Sequence, residues 1–191
     1  MNKVTNVLLV GVGGQGTILA SKILSEGLIQ AGYDVKMSEI HGMSQRGGNV
    51  STQVRFGDKV NSPIIGKGEA DIIVAFEKME ALRWINYLKT GGKMVINDFE
   101  IPSVPILMGA VEYPRGILDD LSTKADIIVF EAGKIATELG NSRAMNIVLL
   151  GAMISALGLD DMDWNSIIET NVKKNFVDLN LKAFEAGGNL I

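Results

Sequence analysis

Apolar positions repeat along this chain with two periods, and the switches between them predict its elements. Residues 7–10 are a continuous apolar run, the mark of a strand buried on both faces. Leu19, Ile23, Leu24, Leu28 and Ala31 then recur at helical spacing until Gly32, which predicts a helix with a glycine stop. Residues 34–39 alternate apolar with polar, as do residues 50–56, which predicts two half-buried strands. Gly57, Asp58 and Lys59 read as a hairpin turn, and residues 62–68 as loop. A buried strand is expected at 72–76, an amphipathic helix at 77–89 ended by Gly91 and Gly92, and a strand at 94–97. Residues 104–108, interrupted by Pro105, are at best an edge strand. Residues 127–130 predict the last buried strand, followed by a helix at 132–139.

The C-terminal third is helical. Asn141 and Ser142 can cap a helix whose 147–157 segment is apolar nearly all round, which predicts burial on every side. Two amphipathic helices follow, near 164–172 and 175–186. The whole reads as one domain over residues 1–191: a three-layer, Rossmann-like α/β fold with a helical C-terminal cap from about residue 142. The connection between the second and third strands, about ten residues, is at the lower limit for a parallel crossover. These strands are therefore expected to pair as antiparallel neighbours or to run to a sheet edge, giving a mixed, mostly parallel sheet.

Two stretches carry candidate chemistry. Gly11, Gly13 and Gly16, with Gly14 and Gln15 between them, place GVGGQG between the first strand and first helix. Such a turn lets backbone N–H groups approach a phosphate or carboxylate. It also fits the dinucleotide pattern GxGxxG, with Glu39 about where a ribose-binding acid would lie. The competing reading is a tight turn and close helix–sheet packing. The second stretch joins the second and third strands and holds the only histidine, His41, then Ser44, Gln45, Arg46, Gly47, Gly48 and Asn49. His41 could act as a general base, or simply hydrogen-bond and pack, since no nucleophile–acid constellation accompanies it. Arg46 beside two glycine amides suits an anion, or pins the loop through a salt bridge. The loop as a whole reads as a contact surface for a ligand or a partner chain.

Composition narrows the chemistry. The chain has 191 residues, a net charge of −4 and no cysteine. The acidic balance argues against nucleic acid. No apolar run reaches the roughly 18 residues of a membrane span, and no signal peptide is visible, so a cytoplasmic location is expected. Without thiolates the chain cannot hold an iron–sulfur cluster or a cysteine zinc site. Any redox centre must be an organic cofactor or belong to another chain.

GVGGQG at 11–16, SEIHGMSQRGGNVSTQVRFG at 38–57 and EADIIVAFEKMEALR at 69–83 resemble the gamma domain of the 2-oxoacid:ferredoxin oxidoreductases. The run from His41 to Gly48, with Phe76-Glu77 and Leu82-Arg83, resembles the beta subunit of indolepyruvate:ferredoxin oxidoreductases; residues 146–151 and 180–187 look similar too. The resemblance is weak between about 100 and 126. It implies a subunit without cofactors of its own and inactive alone. A larger partner subunit would carry thiamine diphosphate and iron–sulfur clusters, passing electrons to ferredoxin and the acyl group to coenzyme A. The alternative is a free-standing NAD- or nucleotide-binding protein.

Overall fold

The structure, a computed structural model, describes residues 4–42 and 48–191. Strand β1 (Val4–Val12) is followed by helix α1 (Thr17–Gln30), β2 (Asp34–His41), β3 (Asn49–Gly57) and β4 (Ala70–Ala75). Helix α2 (Lys78–Trp84) leads through one 3-10 turn to β5 (Leu88–Asn97). Short helices α3 (Val104–Leu107) and α4 (Ile117–Ser122) precede β6 (Asp126–Phe130) and α5 (Ala132–Glu138). Helices α6 (Met145–Leu157), α7 (Trp164–Asn171) and α8 (Val177–Gly188) complete the chain.

The sheet order is β2-β3-β1-β4-β5-β6. β1, β4, β5 and β6 pair in parallel, whereas β3 runs antiparallel to both of its neighbours, β2 and β1. The mixed sheet expected from the short β2–β3 connection is therefore present. The alternation of side chains explains why β1 is apolar without interruption. Val7 and Leu9 face α1 and the C-terminal helices, while Leu8 and Val10 face α2 and α4. Between β1 and β4 the covering helix changes side, from α1 to α2, which opens a crevice at the strands' C-terminal ends.

Helix α6 is buried without a break from Asn146 to Ile154. Its all-round apolar character is explained by α1, α5, α8 and the sheet packing around it. The backbones of α6 and α8 touch. A Cβ on Gly151 would fall 2.0 Å from the carbonyl oxygen of Phe184, and one on Gly187 1.9 Å from that of Val148.

Four expectations need correction. Residues 104–108 form the helix α3 rather than an edge strand, because Pro105 lies in its first turn, where no intrahelical donor is lost. The helix expected over 77–89 stops at Trp84, and Lys89, Gly91 and Gly92 belong to β5. Gly57, Asp58 and Lys59 do not turn a hairpin. The loop after β3 instead returns to β4, held by Arg55, whose Nη1 donates to the carbonyls of Ser62 and Ile64 at 3.0 Å each. Strand β6 is a partly exposed sheet edge, not a fully buried strand.

Candidate functional site

The glycine turn sits at the C-terminal end of β1, at the crevice where the covering helix changes side. Its shape is set by internal bonds. Gln15 is buried, its Oε1 accepting from Val12 N at 2.8 Å and its Nε2 donating to the Phe76 carbonyl at 2.7 Å. Asn97 Nδ2 donates to the same carbonyl at 3.0 Å, and its Oδ1 accepts from Ala132 N at 2.9 Å. One glutamine and one asparagine thus tie together the ends of β1, β4 and β5 and the start of α5. Gly16 has φ 84° and borders Asn146, whose Nδ2 donates to the Gly16 carbonyl at 3.3 Å. A side chain there would meet both a strained backbone and the Asn146 amide.

The end of β2 and the start of β3 come to this turn. Gly13 N donates to the Gly48 carbonyl at 2.8 Å, Asn49 pairs with Val12 across the sheet, and Gly42 N donates to the Asn49 carbonyl at 3.2 Å. His41 is exposed at the end of β2 and, with Glu39, lines a depression of about 420 Å³ against Gly13, Gly14, Thr17 and Ile18. On the other side of the turn, an open cleft of about 1320 Å³ runs to Asn97, Phe99, Lys134 and Arg143. Gly13, Gly14, Gly16, His41, Gly48 and Asn49 therefore share one end of the molecule. Gly11 lies deeper, where a Cβ would crowd Gln15 and Phe76 at 2.9 Å. Ser44, Gln45, Arg46 and Gly47 lie outside the described residues.

The strand order bears on the nucleotide reading. β3 stands beside β1, where the second strand of a dinucleotide fold would pair, and it displaces β2 and Glu39 one strand outward. One amide of the turn, Gly13 N, is already occupied by the hairpin.

A second polar cluster was missed by sequence reading. Glu77 is fully buried at the end of β4 and caps α2, accepting from Glu80 N at 2.9 Å. It also accepts from Ile101 N at 3.3 Å and from the Tyr113 hydroxyl. Burial and the neighbouring Glu77 push the Tyr113 phenol well above its ordinary pKa, so it serves as a donor. Burial also raises the Glu80 carboxyl above the usual carboxylate range, against the opposing pull of Arg83 and Trp84 Nε1. Partial burial works against the Lys78 charge, but its contacts with Glu100 at 2.8 Å and Asp98 at 2.9 Å prevail and raise its pKa. The detectable signal was Glu77 directly after an apolar strand, three residues before Glu80, in the spacing of an acidic helix cap.

These features define a class: an α/β domain with a mixed sheet in which a glycine-rich turn meets the ends of an antiparallel strand pair, at Gly48 and Asn49. Residues 6–190 match the pyruvate ferredoxin/flavodoxin oxidoreductase family, and the chain belongs to it. It is 40% identical to the indolepyruvate oxidoreductase subunit IorB of Thermococcus kodakarensis, over 95% of this chain and 93% of that one. It is 29% identical to the ketoisovalerate oxidoreductase subunit VorA of Methanothermobacter marburgensis, over 95% of this chain but only 35% of the relative. The keto/oxoacid ferredoxin oxidoreductase gamma subunit of Geobacter sulfurreducens superposes with a TM-score of 0.71 at 26% identity, covering 97% of both chains. The resemblance read from the motifs is thus borne out at the level of family and fold.

Proposed function

We propose that this chain is the non-cofactor-bearing subunit of an indolepyruvate (aryl pyruvate):ferredoxin oxidoreductase, inactive alone and cytoplasmic. The observation that carries this reading is the near full-length match to an indolepyruvate oxidoreductase subunit. The lack of cysteine supports the division of labour, since no thiolate here can ligate a cluster. A larger partner would hold thiamine diphosphate and the iron–sulfur clusters, which would supply the decarboxylation and electron-transfer chemistry that this chain's residues do not. Coenzyme A takes the acyl group. The whole of residues 1–191 acts as a single gamma-type domain.

The contact surface in this reading is the glycine turn with the hairpin tip: Gly11, Gly13, Gly14, Gln15 and Gly16 with His41, Ser44, Gln45, Arg46, Gly47, Gly48 and Asn49. Gln15 contributes by fixing the turn. Arg46 supplies the positive charge, paired with an anionic group of the partner or of coenzyme A. Reconstitution tests the assignment. The isolated chain is expected to be colourless, free of iron and inactive. Mixed with the thiamine- and iron–sulfur-bearing subunit, it should give indolepyruvate- and coenzyme A-dependent reduction of ferredoxin. Arg46→Ala should weaken assembly or coenzyme A binding by about 2–5 kcal/mol while leaving the lone chain's melting temperature unchanged. Brown, iron-bearing protein from this chain alone, or no activity from the mixture, would overturn the assignment.

A further inference from the structure

Fifteen large apolar residues are exposed among the described residues, and five of them fall between positions 99 and 111. Val104, Leu107 and Met108 on and beside α3 are 67%, 72% and 78% exposed, flanked by Phe99 at 45% and Val111 at 55%. Scattered exposed apolar side chains are ordinary, whereas a concentration of them in one short stretch marks a surface made to be covered.

The stretch is held firmly. Its start is fixed by Lys78 N donating to the Phe99 carbonyl at 3.0 Å and by the Lys78 ion pairs to Asp98 and Glu100. Buried Glu77 takes Ile101 N near its start and the Tyr113 hydroxyl just past its end. Between these anchors the backbone bonds of α3, Leu107 N to the Ser103 carbonyl and Met108 N to the Val104 carbonyl at 2.9 Å each, fix the main chain, which lowers the entropic cost of covering the face. Phe99, at the start of the stretch, also lines the cleft beside the glycine turn. The groove next to α3 carries exposed Glu112 and Asp119, with Arg115 and the Lys78–Glu100 ion pair as its other charged groups.

We propose that the α3 face, centred on Leu107 and Met108, is a docking surface for the larger subunit, which meets it with an apolar centre and a basic rim. This inference rests on the functional reading above. The choice of occupant comes from the proportions of the relatives. The match to the ketoisovalerate subunit occupies 35% of that polypeptide, so there an equivalent domain shares its chain with a much larger remainder. In the indolepyruvate relative, 93% of which is matched, the domain is nearly the whole polypeptide; there a surface must replace that covalent link, and an exposed apolar face such as that of α3 suits the purpose.

The test uses the full chain and the purified thiamine- and iron–sulfur-bearing subunit, with binding measured by titration. The Leu107→Asp, Met108→Asp double variant is expected to keep the wild-type melting temperature and to lose affinity for that subunit by on the order of thirtyfold. Ile29→Asp, at an exposed apolar position (58%) near the C-terminal end of α1, serves as the control and should bind like wild type. Hydrogen exchange on the wild-type complex gives a readout independent of any variant: amides of residues 104–111 should gain protection on binding. Wild-type affinity in the double variant, equal loss in the Ile29 control, or no added protection would overturn the docking face alone. Face-dependent dimers of the lone chain, with heteromeric binding intact, would reassign it to self-association and overturn the proposal. A wild-type chain that does not bind the larger subunit at all would overturn the functional reading and this inference with it.

Discussion

At the scale of single residues, polar side chains buried in the fold separate into those that are answered and one that is not. Gln15 and Asn97 each use both ends of an amide, and their four bonds tie the ends of β1, β4 and β5 to one another and to the start of α5. Thr52 on β3, by contrast, is fully buried and its Oγ1 has no hydrogen-bond partner among the described residues. An unanswered hydroxyl forfeits its hydration without compensation. Thr52→Val keeps the shape and suits a strand, so it should raise stability by about 1 kcal/mol, read as a higher melting temperature. Glu80 offers a pH-dependent counterpart. Its folded carboxyl holds a proton to higher pH than in the unfolded chain, so the native state binds more protons and stability falls as pH rises through that window. Glu80→Gln should therefore melt above wild type at neutral pH, with the gap closing on acidification through the range just above the ordinary glutamate pKa. Arg83 is half exposed, so losing its attraction to Glu80 costs little. Melting curves across that pH range check both the sign and the window.

At the scale of elements, the tightest constraint is the crossing of α6 and α8. A methyl group on Gly151 cannot avoid the Phe184 carbonyl unless the helices separate. Gly151→Ala should cost about 3 kcal/mol, seen as a lowered urea midpoint with an unchanged slope. The mixed sheet could be read from sequence because connection length constrains topology: about ten residues is at the lower limit for a parallel crossover, so an antiparallel return is favoured. β1 and α6 were legible because unbroken apolar runs of strand and helix length leave few alternatives. The misread elements all lie where local signals compete. Pro105 breaks a strand but is equally at home in a first helical turn, and Lys89 to Gly92 look like a helix end although the sheet recruits them into β5. Asn97 is one asparagine at a strand end, and only the third dimension shows that it joins β4 to α5. The candidate site was legible as motifs, while the internal job of Gln15 and the capping role of Glu77 were not.

At the scale of the molecule, some bonds span most of the chain. Asn146 at the start of α6 donates to the carbonyl of Gly16, 130 residues earlier, and so braces the glycine turn from behind. On a ribosome adding roughly 5–20 residues per second, that brace is made on the order of ten seconds after the turn itself has been synthesised. During the interval α1 lacks α6 and α7, two of the helices that pack against it in the finished fold. The end of the molecule that carries the candidate site is thus braced only after most of the chain has been made, and a shorter nascent chain offers an unfinished surface there.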